Sequence, residues 1–153
     1  MRHRLLQTGL AWWLLVIAPA LYAHHSIVEF DYTRAYAVTG KVKELQWTNP
    51  HSWVQVLVPD ASGKEIEFGF EMGAPVFNIR LGWRKESVVA GDKVTVVYCP
   101  SKNGSPRGTL MYIRLPSGDV LPGVAPRIYT GPSVEDMTKV PAPPLLGTTQ
   151  GQQ

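Results

Sequence analysis

The chain has 153 residues, a formal charge of +3 and one cysteine, and these values exclude several classes of protein. A single thiol cannot form an internal disulfide, so the fold must be held together by its hydrophobic core. Two of the fifteen basic residues and none of the twelve acidic ones precede residue 24, so without that segment the charge falls to +1. Such a nearly neutral chain gives no argument for nucleic-acid binding.

Residues 1–23 have the pattern of a secretory signal peptide. Basic residues near the start precede an apolar run, Leu10 to Ala20, which is shorter than the roughly 20 residues needed to cross a bilayer. Cleavage after Ala23 is favoured, and a cut after Ala20 or an uncleaved anchor are the alternatives. The sequence therefore predicts a periplasmic or secreted protein that meets the membrane only during export.

A strong two-residue periodicity begins at Tyr36 and predicts strands. In the first, "YAVTGKVKELQW", the apolar phase slips close to Gly40, which indicates a β-bulge or a tight bend. The second, "HSWVQVLV", alternates three valines with Trp53, Gln55 and Leu57, and "PDASGK" then predicts a hairpin turn. The third, "KEIEFGFE", places Ile66, Phe68 and Phe70 inward and Glu65, Glu67 and Glu71 outward into solvent.

The next segment predicts a short helix and two further strands. Pro75 suits the first turn of a helix and Gly82 suits its C-terminal cap, so we expect a helix from Pro75 to Leu81, buried broadly as a plug. A fourth strand in "VTVVYC" has Val94, Val96 and Tyr98 on one face, with Cys99 as a small buried hydrophobe. A fifth follows in "TLMYIRL".

Three strands, a helix and two strands form the element order of the OB-fold. The sequence thus predicts an all-β protein with one short helix, a small five-stranded OB-like Greek-key barrel, with an open β-sandwich or another small barrel as alternatives. We place the barrel at residues 36–116, after an extended lead at 24–35. Residues 117–153 are rich in proline and predict a mostly irregular tail, in which Ile128, Tyr129, Leu145 and Leu146 are candidates to pack against the barrel.

Several stretches resemble a bacterial family known as domain of unknown function 6152. They are "HHSIVEFD", "VTGKVKELQWTNPHSW", "EFGFEMGAPVFNIRLGW" and "VVAGDKVTVVYCPSKNGSPRGTL", of which "WTNPHSW" is the most specific. The resemblance spans roughly His24 to Asp119, and Met72 and Cys99 depart from it. It implies an exported small β-rich protein of unassigned activity, and it supplies no catalytic residue.

Two loops are candidates for a binding site, because in OB-folds the loops between strands one and two and between strands four and five flank the binding face. We expect a small anionic or sugar-like ligand, or another envelope protein, to bind there. The same residues also suit a structural role in shaping the turns. The candidate residues are Trp47, Asn49, His51 and Trp53 from the first loop and Lys102, Asn103 and Arg107 from the second.

Metal binding is the alternative function. Cleavage after Ala23 would give His24 both an α-amine and an imidazole, a chelating pair for copper or zinc, and His25 or His51 would add a third nitrogen. Cleavage after Tyr22 would instead place His25 third from the terminus, a square-planar copper arrangement.

The sequence contains no catalytic motif that would favour an enzyme. It has no Gly-x-Ser-x-Gly elbow and no carboxylate pair with a plausible acid partner. We therefore expect a non-enzymatic protein.

Overall fold

Strands between Tyr36 and Arg114 form most of the fold, and short helices flank and interrupt them. The computed structural model describes residues 26–147, so residues 1–23, the predicted signal peptide, lie outside the described range. No helix within this range is long and apolar enough to cross a membrane. In chain order the elements are α1 (Ser26–Glu29), β1 (Tyr36–Gln46), β2 (Trp53–Pro59), β3 (Glu65–Glu71), α2 (Pro75–Arg80), β4 (Lys93–Pro100), β5 (Arg107–Arg114) and β6 (Val120–Pro122), followed by 3-10 helices at Ala125–Arg127, Met137–Lys139 and Pro144–Leu146.

The first five strands close into a barrel. β1 pairs antiparallel with both β2 and β4, β2 pairs with β3, and β4 pairs with β5. Parallel pairing of Gly69–Glu71 in β3 with Arg107–Thr109 in β5 closes the ring. With α2 between β3 and β4, this is the strand order of an OB-like barrel. The predicted fold class, a small five-stranded all-β barrel, is confirmed.

The long strand β1 bends so that it can pair on both of its edges. Its register against β2 shifts between Val42 and Glu44, which marks a β-bulge at Lys43. At Gly40 the backbone passes so near Leu57 that any side chain would collide with its carbonyl oxygen. The irregularity predicted close to Gly40 therefore exists, and the extra residue is Lys43.

The barrel interior is filled by the inward side chains of the strands. The three valines of β2 are buried, as the alternation predicts, and the residues between them are half-buried. On β3, the Phe68 and Phe70 rings stack with centroids 6.0 Å apart, and the Tyr98 ring from β4 lies 5.0 Å from that of Phe70. These aromatic contacts join the two halves of the barrel.

The sequence predicts an extended segment before β1, but the structure contains a helical turn there. Ser26–Glu29 form the single helical turn α1, and Phe30 then bridges to Ser101 at the end of β4. Phe30 is 1% exposed. The lead is therefore anchored beside the loop between β4 and β5.

The tail after β5 packs on the outside of the barrel. A second apolar cluster, which includes Cys99, Met111 and Met137, lies between β4, β5 and the tail. Leu146 joins the main core at 7% exposure, and Tyr129 packs against the second cluster, whereas Ile128 and Leu145 remain exposed. Irregular backbone thus covers apolar surface that the barrel alone would leave open.

The helix α2 forms where the sequence predicts it, but the prediction that it is a buried plug is wrong. Val76, Phe77 and Ile79 are each about half exposed, and within α2 only Asn78 is buried. The Asn78 amide donates a hydrogen bond to the Gly73 carbonyl oxygen at 2.7 Å, which holds this face inward.

Trp83 is the fully buried side chain in this region. It follows α2 and a turn at Gly82, whose φ of 94° favours glycine. Its indole N–H donates to the Pro122 carbonyl oxygen at 2.8 Å. Trp83 thus fills the interior next to α2, whereas Val76, Phe77 and Ile79 stay at the surface.

Candidate functional site

Arg107 and Trp53 meet on the outer surface of the barrel, where β2 and β5 begin. The Arg107 Cζ atom lies 4.7 Å from the centre of the Trp53 ring. The contact follows from the barrel closure, since Trp53 pairs with Glu71 and Arg107 pairs with Gly69, two residues earlier on β3. A guanidinium over an aromatic ring at an exposed site is stabilising by about 0.5–1 kcal/mol.

These two side chains border a shallow groove of about 560 Å³, which we call the Trp53 groove. Gly69 forms its floor, between Gln55 and Arg107 in the sheet. A Cβ atom at Gly69 would lie 2.9 Å from Gln55 Oε1 and 3.6 Å from the Trp53 ring, so the missing side chain keeps the groove open. The lining residues are Gln46, Trp53, Gln55, Glu67, Gly69, Pro106 and Arg107.

The charges of the Trp53 groove are paired with neighbours. The Lys43 Nζ atom donates to Glu67 Oε2 at 2.7 Å. On the other side, Arg107 Nη1 lies 3.6 Å from Glu29 Oε1, so α1 contributes the partner of the guanidinium. The groove therefore combines an aromatic wall and two amides with balanced charges.

The His51 imidazole contacts the Glu71 carboxylate beside the Trp53 groove. The His51 Nδ1 atom contacts Glu71 Oε1, and the Glu71 side chain is 9% exposed whereas that of His51 is 39% exposed. The prediction that Glu71 is solvated is wrong. The strand does point this carboxylate out of the barrel, but the loop between β1 and β2 carries His51 over it.

The electrostatics of Glu71 are dominated by burial. Burial raises the pKa of Glu71 above its ordinary value, and the charge of Glu29 adds to this effect. His51 and Arg107 lower the pKa without offsetting the burial. Burial of this carboxylate therefore outweighs the stabilisation that His51 and Arg107 give to its charged form.

The remaining candidates from the first loop lie apart from the groove lining. Trp47 is half-buried and packs against the barrel core. Asn49 is exposed and precedes Pro50 across a cis peptide bond. The structure thus brings His51 and Trp53 towards Glu71, and it places Trp47 in a packing role.

The remaining candidates from the second loop also have other surroundings. The Lys102 backbone N–H donates to the Glu29 carbonyl oxygen at 2.9 Å, and the residue lines a separate cavity of about 260 Å³. Asn103 Oδ1 accepts hydrogen bonds from the Ser101 hydroxyl and the Ser105 N–H, each at 2.9 Å. Asn103 therefore closes the loop, and Arg107 is the residue of this loop that reaches Trp53.

Of the three predicted metal ligands, only His51 lies within the described residues. His24 and His25 lie outside the described residues, and His51 is paired with Glu71. Within residues 26–147 no three His, Cys, Asp or Glu side chains are grouped to hold a metal ion.

The comparisons with known proteins identify the family. The model of a family of unknown function, DUF6152, matches residues 13–111, about two thirds of the chain. The chain belongs to this family. The resemblance stated from the sequence is thereby confirmed. No curated protein and no solved structure matches this DUF6152 chain.

Sequence reasoning missed most of the site of this DUF6152 protein, including Gln55, Gly69 and Glu71. The hairpin contains a usable signal, because the "PDASGK" turn sets Pro59 opposite Glu65. Counting along both strands from that pair puts Gln55 opposite Gly69 and Trp53 opposite Glu71. The contribution of Glu29 had no comparable signal, since it depends on where the lead is anchored.

Proposed function

We propose that the mature chain, residues 24–153, is an exported, non-enzymatic binding protein of the cell envelope that holds a neutral carbohydrate in the Trp53 groove. The basic and apolar pattern of residues 1–23 supports export. The observation that carries the binding proposal is the open floor at Gly69 between an aromatic wall and amide side chains.

A carbohydrate matches the chemistry of this lining. Sugars present an apolar ring face, which packs on an indole, and hydroxyl groups that both donate and accept hydrogen bonds. Trp53 offers the aromatic surface, and the amides of Gln46 and Gln55 offer donors and acceptors on either side of it. Glu67 and Arg107 add an acceptor and a donor.

The charge balance favours a neutral ligand over an anionic one. The single cation in the lining, Arg107, already lies against Glu29, and the carboxylate of Glu67 faces the same groove. An anion would gain Arg107 and be opposed by Glu67. Of the two ligand classes that the sequence leaves open, the geometry therefore supports the sugar-like one.

The size of the groove agrees with a small oligosaccharide. Ligand sites commonly measure about 300–1,000 Å³, and the Trp53 groove measures about 560 Å³. It lies on the outer surface across β2, β3 and β5. A chain of sugars can extend beyond such a groove at both ends.

A cavity of about 600 Å³ between the lead and the tail is a weaker candidate. Two of its charged residues make local contacts: Arg34 pairs with Asp31 at 3.5 Å, and Asp136 Oδ1 accepts from the Thr138 N–H at 2.9 Å. This cavity is lined by the lead and the tail, whereas the Trp53 groove is lined by an aromatic ring and two amides.

The test is calorimetric titration of the mature protein with a panel of neutral oligosaccharides of glucose and N-acetylglucosamine. We expect at least one to bind, and we expect Gly69→Val and Arg107→Ala to weaken that binding at least tenfold. Valine at position 69 would fill the groove by displacing the flexible end of Gln55, so the barrel should still fold.

Thr95→Ala is the matched control, since Thr95 lies on β4, does not line the groove, and makes a hydrogen bond with Thr39 across the sheet. It should leave the affinity within twofold of wild type. The proposal is contradicted if no neutral sugar binds, if sugar acids bind more tightly than neutral sugars, or if a bound sugar is insensitive to both groove variants.

A further inference from the structure

Three apolar side chains of α2, which we call the α2 patch, lie together at the surface. They are Val76, Phe77 and Ile79, each about half exposed. Eight large apolar side chains are exposed within residues 26–147, and the other five lie apart from one another along the chain. Single exposed apolar residues are ordinary, whereas neighbouring ones mark a surface that binds something apolar.

Two hydrogen bonds on the inner side of α2 hold the α2 patch outward. Within the helix only Asn78 is buried, and its amide donates to the Gly73 carbonyl oxygen at 2.7 Å. Just after the helix, the buried indole of Trp83 donates to the Pro122 carbonyl oxygen at 2.8 Å. Because these inward groups fix the helix, the α2 patch faces solvent in the folded protein.

Two arginines lie against the α2 patch. The Arg80 Cζ atom lies 5.9 Å from the centre of the Phe77 ring. The Arg84 Nη1 atom donates to the carbonyl oxygens of Trp83 at 2.7 Å and Ile79 at 3.5 Å, which places this guanidinium at the C-terminal end of α2. Both side chains are exposed. Apolar and cationic groups therefore share one surface.

The charge of this segment has one dominant sign. Residues 72–85 contain Arg80, Arg84 and Lys85 and no acidic residue, and with Glu86 counted the net charge is +2. None of the three basic residues forms an ion pair with another part of the described chain. The surface is thus complementary to a partner that is both apolar and anionic.

We propose that α2 docks the folded protein on a bilayer that contains anionic lipid. The α2 patch enters the boundary between headgroups and acyl chains, and Arg80, Arg84 and Lys85 contact lipid phosphates. A helix of six residues is about 9 Å long, so α2 lies on the bilayer, whose apolar core is roughly 30 Å thick, and does not cross it.

A bilayer fits this surface better than a protein partner does. A stable protein interface buries about 800 Å² on each partner, which is more than three half-exposed side chains provide. Shallow insertion into a bilayer requires only one apolar surface flanked by cations. The sequence predicts contact with the membrane during export alone, and α2 adds a contact made by the folded protein. This contact is independent of sugar binding in the Trp53 groove.

The test is co-sedimentation of the mature protein with vesicles of phosphatidylcholine alone or of phosphatidylcholine mixed equally with phosphatidylglycerol. We expect binding to the mixed vesicles that weakens as salt is added, and at least tenfold weaker binding to phosphatidylcholine alone. The double variant Phe77→Ala, Ile79→Ala should weaken binding about tenfold or more, because both side chains lose the apolar surface that the bilayer would bury. The double variant Arg80→Gln, Lys85→Gln should weaken it about tenfold and reduce its salt dependence.

Each double variant has a matched control. Leu145→Ala removes another half-exposed apolar side chain, which lines a separate cavity with Lys102. The double variant Lys41→Gln, Lys64→Gln removes two exposed cations that lie outside this segment. Both controls should bind the mixed vesicles within about threefold of wild type, since salt screens distant charges. Thermal unfolding checks that every variant is folded.

The proposal is overturned if the protein does not bind the mixed vesicles, if phosphatidylcholine alone binds it as tightly, or if either α2 double variant binds like wild type. Analytical ultracentrifugation tests a second copy of the chain as the competing occupant. A wild-type dimer that becomes a monomer in Phe77→Ala, Ile79→Ala would assign the α2 patch to that copy and would overturn the proposal as well.

Discussion

Replacing Leu146 by alanine tests whether the tail is part of the folded domain. Leu146 is 7% exposed and packs in the main core, although it lies in a short 3-10 helix at the end of the described chain. Burial of this kind makes Leu→Ala cost about 2–5 kcal/mol. Because a terminal segment can relax around the lost side chain, we expect about 2–3 kcal/mol, the lower part of that range.

Leu145 is the matched control, since it is the same residue type in the same 3-10 helix but is 47% exposed. Leu145→Ala should cost about 1 kcal/mol or less, because at most half of its apolar surface is removed from water. Urea unfolding of the mature chain, followed by circular dichroism, measures both losses, and an unchanged slope shows that the unfolded states are comparable. Equal losses in the two variants would refute the packing of the tail on the barrel.

Three further predictions concern buried and exposed groups. Burial raises the pKa of Glu71, so the folded state keeps this proton to higher pH than the unfolded chain does. Wild type should therefore lose stability relative to Glu71→Gln as pH rises from 4.5 through that raised pKa. Unfolding measured at several pH values checks this, and a stability difference that does not change with pH contradicts it. Cys99 is buried, which raises its pKa to about 12, so a thiol reagent should modify it only as fast as the protein unfolds, and immediate labelling of native protein would contradict this. Phe77→Ala should lower the free energy of unfolding by about 1 kcal/mol or less and Trp83→Ala by about 3–5 kcal/mol, because Phe77 is 53% exposed and Trp83 is fully buried. A larger loss for Phe77→Ala than for Trp83→Ala in urea unfolding would show that α2 is the buried plug after all.

The barrel could be predicted from the sequence because its signals are local. The valines of β2 alternate with period two. The helix between β3 and β4 starts at Pro75, in agreement with the preference of proline for the first helical position. The burial of α2 could not be predicted in the same way. Apolar composition shows that a helix can pack, but which side chains reach the interior depends on Trp83, which competes for the same space from outside the helix.

The candidate site was only partly predictable, since its key contacts join distant parts of the chain. Trp53 and Arg107 were both candidates from their loops, and they meet because β3 pairs in parallel with β5. Alternation predicts only that Glu71 points out of the barrel, whereas its burial also depends on the loop that places His51 over it. Glu29 reaches Arg107 because the lead is anchored beside the loop between β4 and β5, and no pattern in the sequence specifies that anchoring.

Two-dimensional ¹H–¹⁵N NMR of the mature protein, recorded as a neutral oligosaccharide is added, tests the central claim most directly. The Trp53 groove predicts that the indole N–H of Trp53, the side-chain amide of Gln55 and the backbone amide of Gly69 shift together, while the buried indole of Trp83 does not move. Shifts that cluster around the cavity between the lead and the tail, or that leave Trp53 unchanged at saturation, would contradict the claim.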